Sequence, residues 1–135
     1  MKLMAVIILL VQAGCSGASE DGFIQPVAPM TVETAIPSGA SHDDFNAAVV
    51  KAAKNRGWRL ERINSTTINA DLKIRTHEAS VVIAYEKTKY TITYKNSVNL
   101  DYDKKTHTIH PKYNQWVRNL DKDISDELAF KALKL

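Results

Sequence analysis

One cysteine among 135 residues, Cys15, leaves no intramolecular disulfide to build and no thiolate cluster for a metal. Long apolar runs are missing too. Leu3 to Val11 is nine residues, about 14 Å of helix against a ~30 Å hydrocarbon core, too short to span a bilayer. Glycine is scarce, at five residues, and no serine sits in the Gly-x-Ser-x-Gly elbow that exposes a hydrolase nucleophile. From Ser16 to Ala40 there is no Lys or Arg, only Glu20, Asp21 and Glu33. The bases gather beyond: from Ser41 onward 17 Lys and Arg stand against 12 Asp and Glu, a net +5. They form no run interleaved with aromatics, which argues against a nucleic-acid partner. The balance suits a solubilising mixed surface with a mild preference for anionic partners. At 44% hydrophobic and 24% charged, the composition is that of an ordinary globular chain with room for one domain.

What is present begins with an address. Lys2, the apolar run and the small residues after it form a secretory leader, to be set aside from fold reasoning. Its end, Val11-Gln12-Ala13-Gly14-Cys15, resembles the lipobox of bacterial lipoproteins, with Ala13, Gly14 and Cys15 matching and Gln12 standing where that motif has an apolar residue. The resemblance implies cleavage before Cys15, its lipidation (palmitate included), and membrane attachment. Ser16 rather than Asp at the next position implies the outer membrane, facing the periplasm. Residues 15–40 then read as lipidated cysteine and tether. Pro26, Pro29 and Pro37 with Gly, Ser and Ala give a semi-rigid spacer without apolar period. Phe23, Ile24, Val27, Val32 and Ile36 exceed what a spacer needs, so parts of it are candidates to lie along the domain or a partner.

Residues 41–135 form the domain. Ser41 with Asp44 three residues on starts a helix, Phe45, Ala48, Val49, Ala52 and Ala53 give it an apolar stripe, and Gly57 stops it. Strand-like runs follow over Trp58 to Ile63, Ile68 to Arg75, Ala79 to Glu86 and Tyr90 to Tyr102, the last being the spine on which the others pair. The separators are too short for crossovers, so the strands form an antiparallel meander. A tight turn at Lys87–Lys89 sets Tyr85 opposite Tyr90 or Thr91 and exhausts the third strand near Asn96. Thr106–His110 is then expected to fold back as the fifth strand, with a bend at Asn96-Ser97. Pro111 opens a last helix whose apolar stripe is Tyr113, Trp116, Val117, Leu120, Ile124 and Leu128. The predicted class is α+β: helix, meander of four to five strands, C-terminal helix, both helices on one face of the sheet.

Candidate chemistry is thin. His107 and His110 have a helical ligand spacing, but on a strand they point apart. No metal and no cofactor is expected. Asp101 and Asp103 sit beside Lys104 and Lys105 as turn and edge residues. The register argument brings Arg75, His77, Asn99 and His110 to one polar edge, where they form a tentative site for an anionic or sugar-like group. The competing reading has them satisfying backbone groups at an irregular turn. The aromatics Trp58, Tyr85, Tyr94, Tyr102, Tyr113 and Trp116 read as core first, with part of the set lining a groove as the alternative.

Gly57-Trp58, Arg75-x-His77 and the stretch Ile109, His110, Tyr113, Asn114, Trp116 resemble segments of a group of small uncharacterised Gram-negative outer-membrane lipoproteins. That resemblance brings no activity with it. The layout is more loosely similar to accessory lipoproteins of envelope assembly machines, a likeness of fold alone. The expectation is a tethered, non-enzymatic module for an envelope protein or glycan. The alternative is an envelope hydrolase using His77 and His110. Replacing Cys15 by Ser is expected to release the protein from the membrane fraction or block its maturation, because stable anchoring takes more than one lipid signal and all of them pass through this residue. Fractionation and gel migration identical to wild type would refute the lipobox.

Overall fold

The computed structural model describes residues 24–134; the leader, Cys15 and the first part of the tether lie outside the described residues. The predicted class is the one adopted. In chain order come β1 (Val32–Ala35), α1 (His42–Arg56), β2 (Arg59–Arg62), β3 (Thr67–Ile74), β4 (His77–Tyr85), β5 (Lys89–Val98) and α2 (Pro111–Ala132). The sheet is antiparallel with strand order β1-β5-β4-β3-β2.

Helix α1 begins on a complete capping box: Ser41 Oγ accepts the Asp44 N–H at 3.0 Å and the Asp44 carboxylate accepts the Ser41 N–H at 2.9 Å. It ends at Gly57, whose φ of 82° is the left-handed stop. Its stripe Phe45, Ala48, Val49, Ala52 and Ala53 is buried as expected, and the alanines let the helix lie close. Helix α2 buries Tyr113, Val117, Leu120, Ile124 and Leu128, while Trp116 is only partly covered. Ion pairs Asp44–Lys134, Lys51–Glu127 and Arg56–Asp123 run in opposite chain directions, so the helices lie antiparallel. In each pair the base is exposed and the carboxylate partly covered, and the pair contributes register more than stability.

The tether is shorter than expected. Val32–Ala35 pairs with β5 (Val32↔Ile92, Thr34↔Tyr90), Val32 and Ile36 are core residues, and Val27 bridges Ile109. Asn114 clamps the backbone between them, donating to Ala28 O at 3.0 Å and accepting from Met30 N at 2.8 Å. The folded unit therefore begins before Ser41. The inward residues Val32 and Ile36 supply the reason, since they cover the edge of β5 left bare by the meander. Gly39 belongs to the same packing; a Cβ there would stand 2.8 Å from Ala132 O.

The fifth strand is accordingly β1 and not Thr106–His110. The return segment makes only isolated bridges, Asp103↔Thr108 and Val27↔Ile109, plus the His110 N–H to Leu100 O bond at 2.8 Å. The expected spine is also broken. Tyr85 does face Tyr90, but Val81 faces Tyr94 while Ser80 faces Asn96, so Lys95 is an unpaired bulge residue. The extra residue inverts the alternation. Ser97 falls opposite buried Ala79, and Val98 turns to solvent at 49% exposure.

Two outcomes follow from this packing. Leu120→Ala, at a fully buried position between helix and sheet, is expected to lower stability by about 2–5 kcal/mol in a denaturant melt. The Asp44 carboxyl is held down to about 2 from its ordinary 3.8, by the Ser41 backbone N–H first and by Lys134. A depressed carboxyl contributes stability that is complete above its unfolded value and is lost as pH falls through the folded one. The melting temperature of Asp44→Asn should therefore depend less steeply on pH than wild type between about pH 4 and the folded-state value.

Candidate functional site

The loop that leaves β5 and the turn between β3 and β4 meet at one end of the sheet. Four residues there have left-handed backbone: Arg75 (φ 57°), Asn99 (54°), Asp101 (55°) and His107 (52°). Asn and Asp tolerate this region because their short side chains bond locally. Arg75 and His107 carry no such signal, which is why strand parity could not place them. The β3–β4 turn sits at Arg75-Thr76, one residue earlier than expected, with Ile74 opposite His77.

Of the four tentative site residues, the structure joins two directly. His77 Nδ1 donates to Asn99 O at 2.6 Å, and Asn99 Nδ2 donates to Thr76 Oγ1 at 2.8 Å. The bond to a carbonyl requires a proton on Nδ1. Arg75 stands exposed in the same turn, without an ion pair among the described residues. His110 departs from the expectation. Its backbone reaches Leu100, but its Nδ1 accepts the Lys112 N–H at 3.0 Å, so the ring caps α2. His77 shares the parity of buried Ala79 and Val81, not the polar-face parity assigned to it. Asp103 behaves as turn chemistry, with Oδ1 accepting the Lys105 N–H at 2.8 Å.

Beside Asn99 opens a polar cleft of about 500 Å³, walled by Tyr94, Ser97, Tyr102, Lys95, Asp101 and Lys104 among others. Tyr94 and Tyr102 stack with centroids 4.6 Å apart, and Tyr94 Oη shares a 2.8 Å hydrogen bond with Ser97 Oγ. The bulge at Lys95 creates this arrangement by bringing Ser97 round to the side of Tyr94. Beneath them Tyr113 meets Tyr94 edge-on at 5.4 Å. Its buried hydroxyl has no acceptor among the described residues. Burial first, and the neighbouring Tyr94 second, push that hydroxyl above the usual tyrosine range. Ser97 has a phenol and not a base beside it, and His107 meets Tyr102 edge-on at 6.3 Å. Among the described residues no three His, Cys, Asp or Glu side chains converge as metal ligands would.

Aromatic faces, amide and hydroxyl groups and two ammonium groups around an open cleft suit the recognition of a polar, hydroxyl-bearing or anionic group. As site residues Ser97, Lys95 and Lys104 carry no signal in the sequence, while Tyr94 and Tyr102 belong to the aromatic set that reads as core first and groove lining second. The break in alternation at Asn96 was the one trace of the bulge. No protein-family model matches the chain, and no curated protein matches it.

Proposed function

We propose that the chain is an envelope lipoprotein, tethered to the outer membrane through Cys15 and facing the periplasm, that acts as a non-enzymatic accessory module by binding a sugar-like group of an envelope glycan. The observation that carries the reading is the Tyr94–Tyr102 stack on the wall of a polar cleft. Sugar rings present C–H faces to aromatic rings and hydroxyls to a polar rim, and this cleft offers both. The Arg75–His77–Asn99 corner adds a cation next to it. A hydrolase built on His77 and His110 draws no support from the ring positions, because the two rings are engaged separately, His77 with Asn99 O and His110 with the Lys112 N–H, and no hydrogen bond joins them among the described residues.

The test is calorimetric titration of the full chain with soluble peptidoglycan fragments and with lipopolysaccharide core oligosaccharide. Tyr102→Ala should weaken binding at least tenfold, a loss of about 1.4 kcal/mol. Arg75→Glu should weaken it as well while shifting stability by no more than about 0.5 kcal/mol, as exposed substitutions do. Neither glycan binding at millimolar concentration would remove the proposal. Parallel losses of stability and binding in Arg75→Glu would make that residue scaffold.

A further inference from the structure

Four bases and two acids stand around the cleft beside Asn99. Lys95, Lys104 and Asp101 line it directly. Lys105 and Asp103 flank Lys104 on the same loop. Arg75 lies in the turn that Asn99 Nδ2 joins through Thr76 Oγ1. All four bases are exposed, and none belongs to an ion pair among the described residues. Elsewhere on the domain lysines do close on carboxylates: Lys89 on Glu33 at 2.6 Å, Lys122 on Asp126 at 2.7 Å, Lys134 on Asp44 at 3.0 Å. Here the acids are otherwise engaged or apart. Asp103 Oδ1 accepts the N–H groups of Lys105 and Thr106 at 2.8 and 3.4 Å, and Asp101 closes on neither lining lysine. The corner keeps a surplus of positive charge.

The backbone adds to that surplus. Strand β5 ends at Val98, and left-handed residues at Asn99 and Asp101 carry the chain off the sheet, so the ladder no longer supplies partners. The N–H groups of Asn99, Asp101 and Tyr102, exposed residues on the cleft wall, have no backbone acceptor among the described residues. Free loop N–H groups carry partial positive charge and favour anions, as ammonium groups do. The cleft holds acceptors too, among them the Asp101 carboxylate and the hydroxyls of Ser97 and Tyr94. These suit the hydroxyls of a sugar ring. A cationic ligand would meet one free carboxylate and two lysines. Tyr102 is 36% exposed, which leaves its ring within reach of a sugar face.

We propose, granted the glycan reading, that the cleft selects an acidic sugar, whose ring lies on Tyr102 and whose carboxylate or phosphate is held by Lys95 and Lys104. Hydrogen bonds with an ionised partner are about twice as strong as neutral ones, so the charged group decides the selection.

The test is calorimetric titration of the full chain with two matched pairs of ligands. In one, the peptidoglycan disaccharide of N-acetylglucosamine and N-acetylmuramic acid is set against diacetylchitobiose, which lacks only the lactyl ether and its carboxylate. In the other, N-acetylglucosamine 6-phosphate is set against N-acetylglucosamine. The acidic member should bind at least tenfold more tightly in one pair or both, a difference of about 1.4 kcal/mol. The pair that shows it tells carboxylate from phosphate. Lack of such a preference in both pairs overturns the proposal, whether or not the neutral members bind. The glycan reading is judged separately, by its own larger fragments, so the two failures are distinguishable. Lys95→Gln combined with Lys104→Gln should reduce the preference at least fivefold at an unchanged circular dichroism spectrum. A smaller reduction in the folded variant overturns the assignment to these lysines, and the wild-type comparison needs no variant to fold.

Discussion

A single carboxylate ties three elements of this domain together. Asp121 on α2 accepts the Tyr90 hydroxyl at 2.6 Å and the Thr34 hydroxyl at 2.8 Å through the same oxygen. Tyr90 comes from β5 and Thr34 from β1, and the two residues face each other across the sheet. Burial pushes the Tyr90 hydroxyl above its usual range, with the Asp121 carboxylate adding to it, so the phenol stays a donor at any physiological pH. Hydrogen bonds to a charged acceptor are the stronger kind. This one fixes where α2 crosses the edge of the sheet and holds an otherwise short, proline-flanked strand against β5.

With α2 placed, the rest of the N-terminal segment follows. Asn114 lies seven residues before Asp121 on the same helix, close to two turns, and it grips the backbone of Ala28 and Met30. His110 caps that helix and Ile109 bridges Val27. Four of the residues on which the lipoprotein resemblance rests, Gly57, Ile109, His110 and Asn114, thus have structural work in this chain: a helix stop, a bridge, a cap and a clamp. Trp58 and Trp116 differ, because the Trp58 Nε1–H is buried without an acceptor among the described residues and a cleft opens beside both rings. The resemblance and the candidate glycan cleft are therefore largely separate. Only the Arg75-x-His77 turn and Tyr113, packed beneath Tyr94, belong to both.

The two helices, the three turns of the meander in outline, and the Tyr85–Tyr90 register were legible because each rests on a local signal: a capping box, a proline at the first helical turn, a short polar separator. Strand β1 was not legible. Four residues between prolines carry no usable period, and their pairing is set by a partner almost sixty residues away. The bulge was hidden for a different reason. Tyr94, Val98, Leu100 and Tyr102 keep an even spacing, so one inserted residue changes the faces without disturbing the pattern in the text. His110 was misassigned although the clue stood next to it. A residue immediately before proline at the first helical position is the N-cap, and its ring belongs to the helix before it belongs to any site.

The way the chain enters its domain bears on what the cleft can reach. Val27 bridges Ile109, and the same loop runs through Asp103↔Thr108 to Tyr102 and Asn99 on the cleft wall. The tether thus joins the fold near the loop that lines the candidate glycan site. Twelve residues lead from Cys15 to Val27, and a chain of that length spans at most ~43 Å when fully extended. If Cys15 carries the lipid, the point where the chain joins the domain stays within about that distance of the membrane surface. Ligands within reach would be surface-proximal glycans rather than groups across the width of the periplasm.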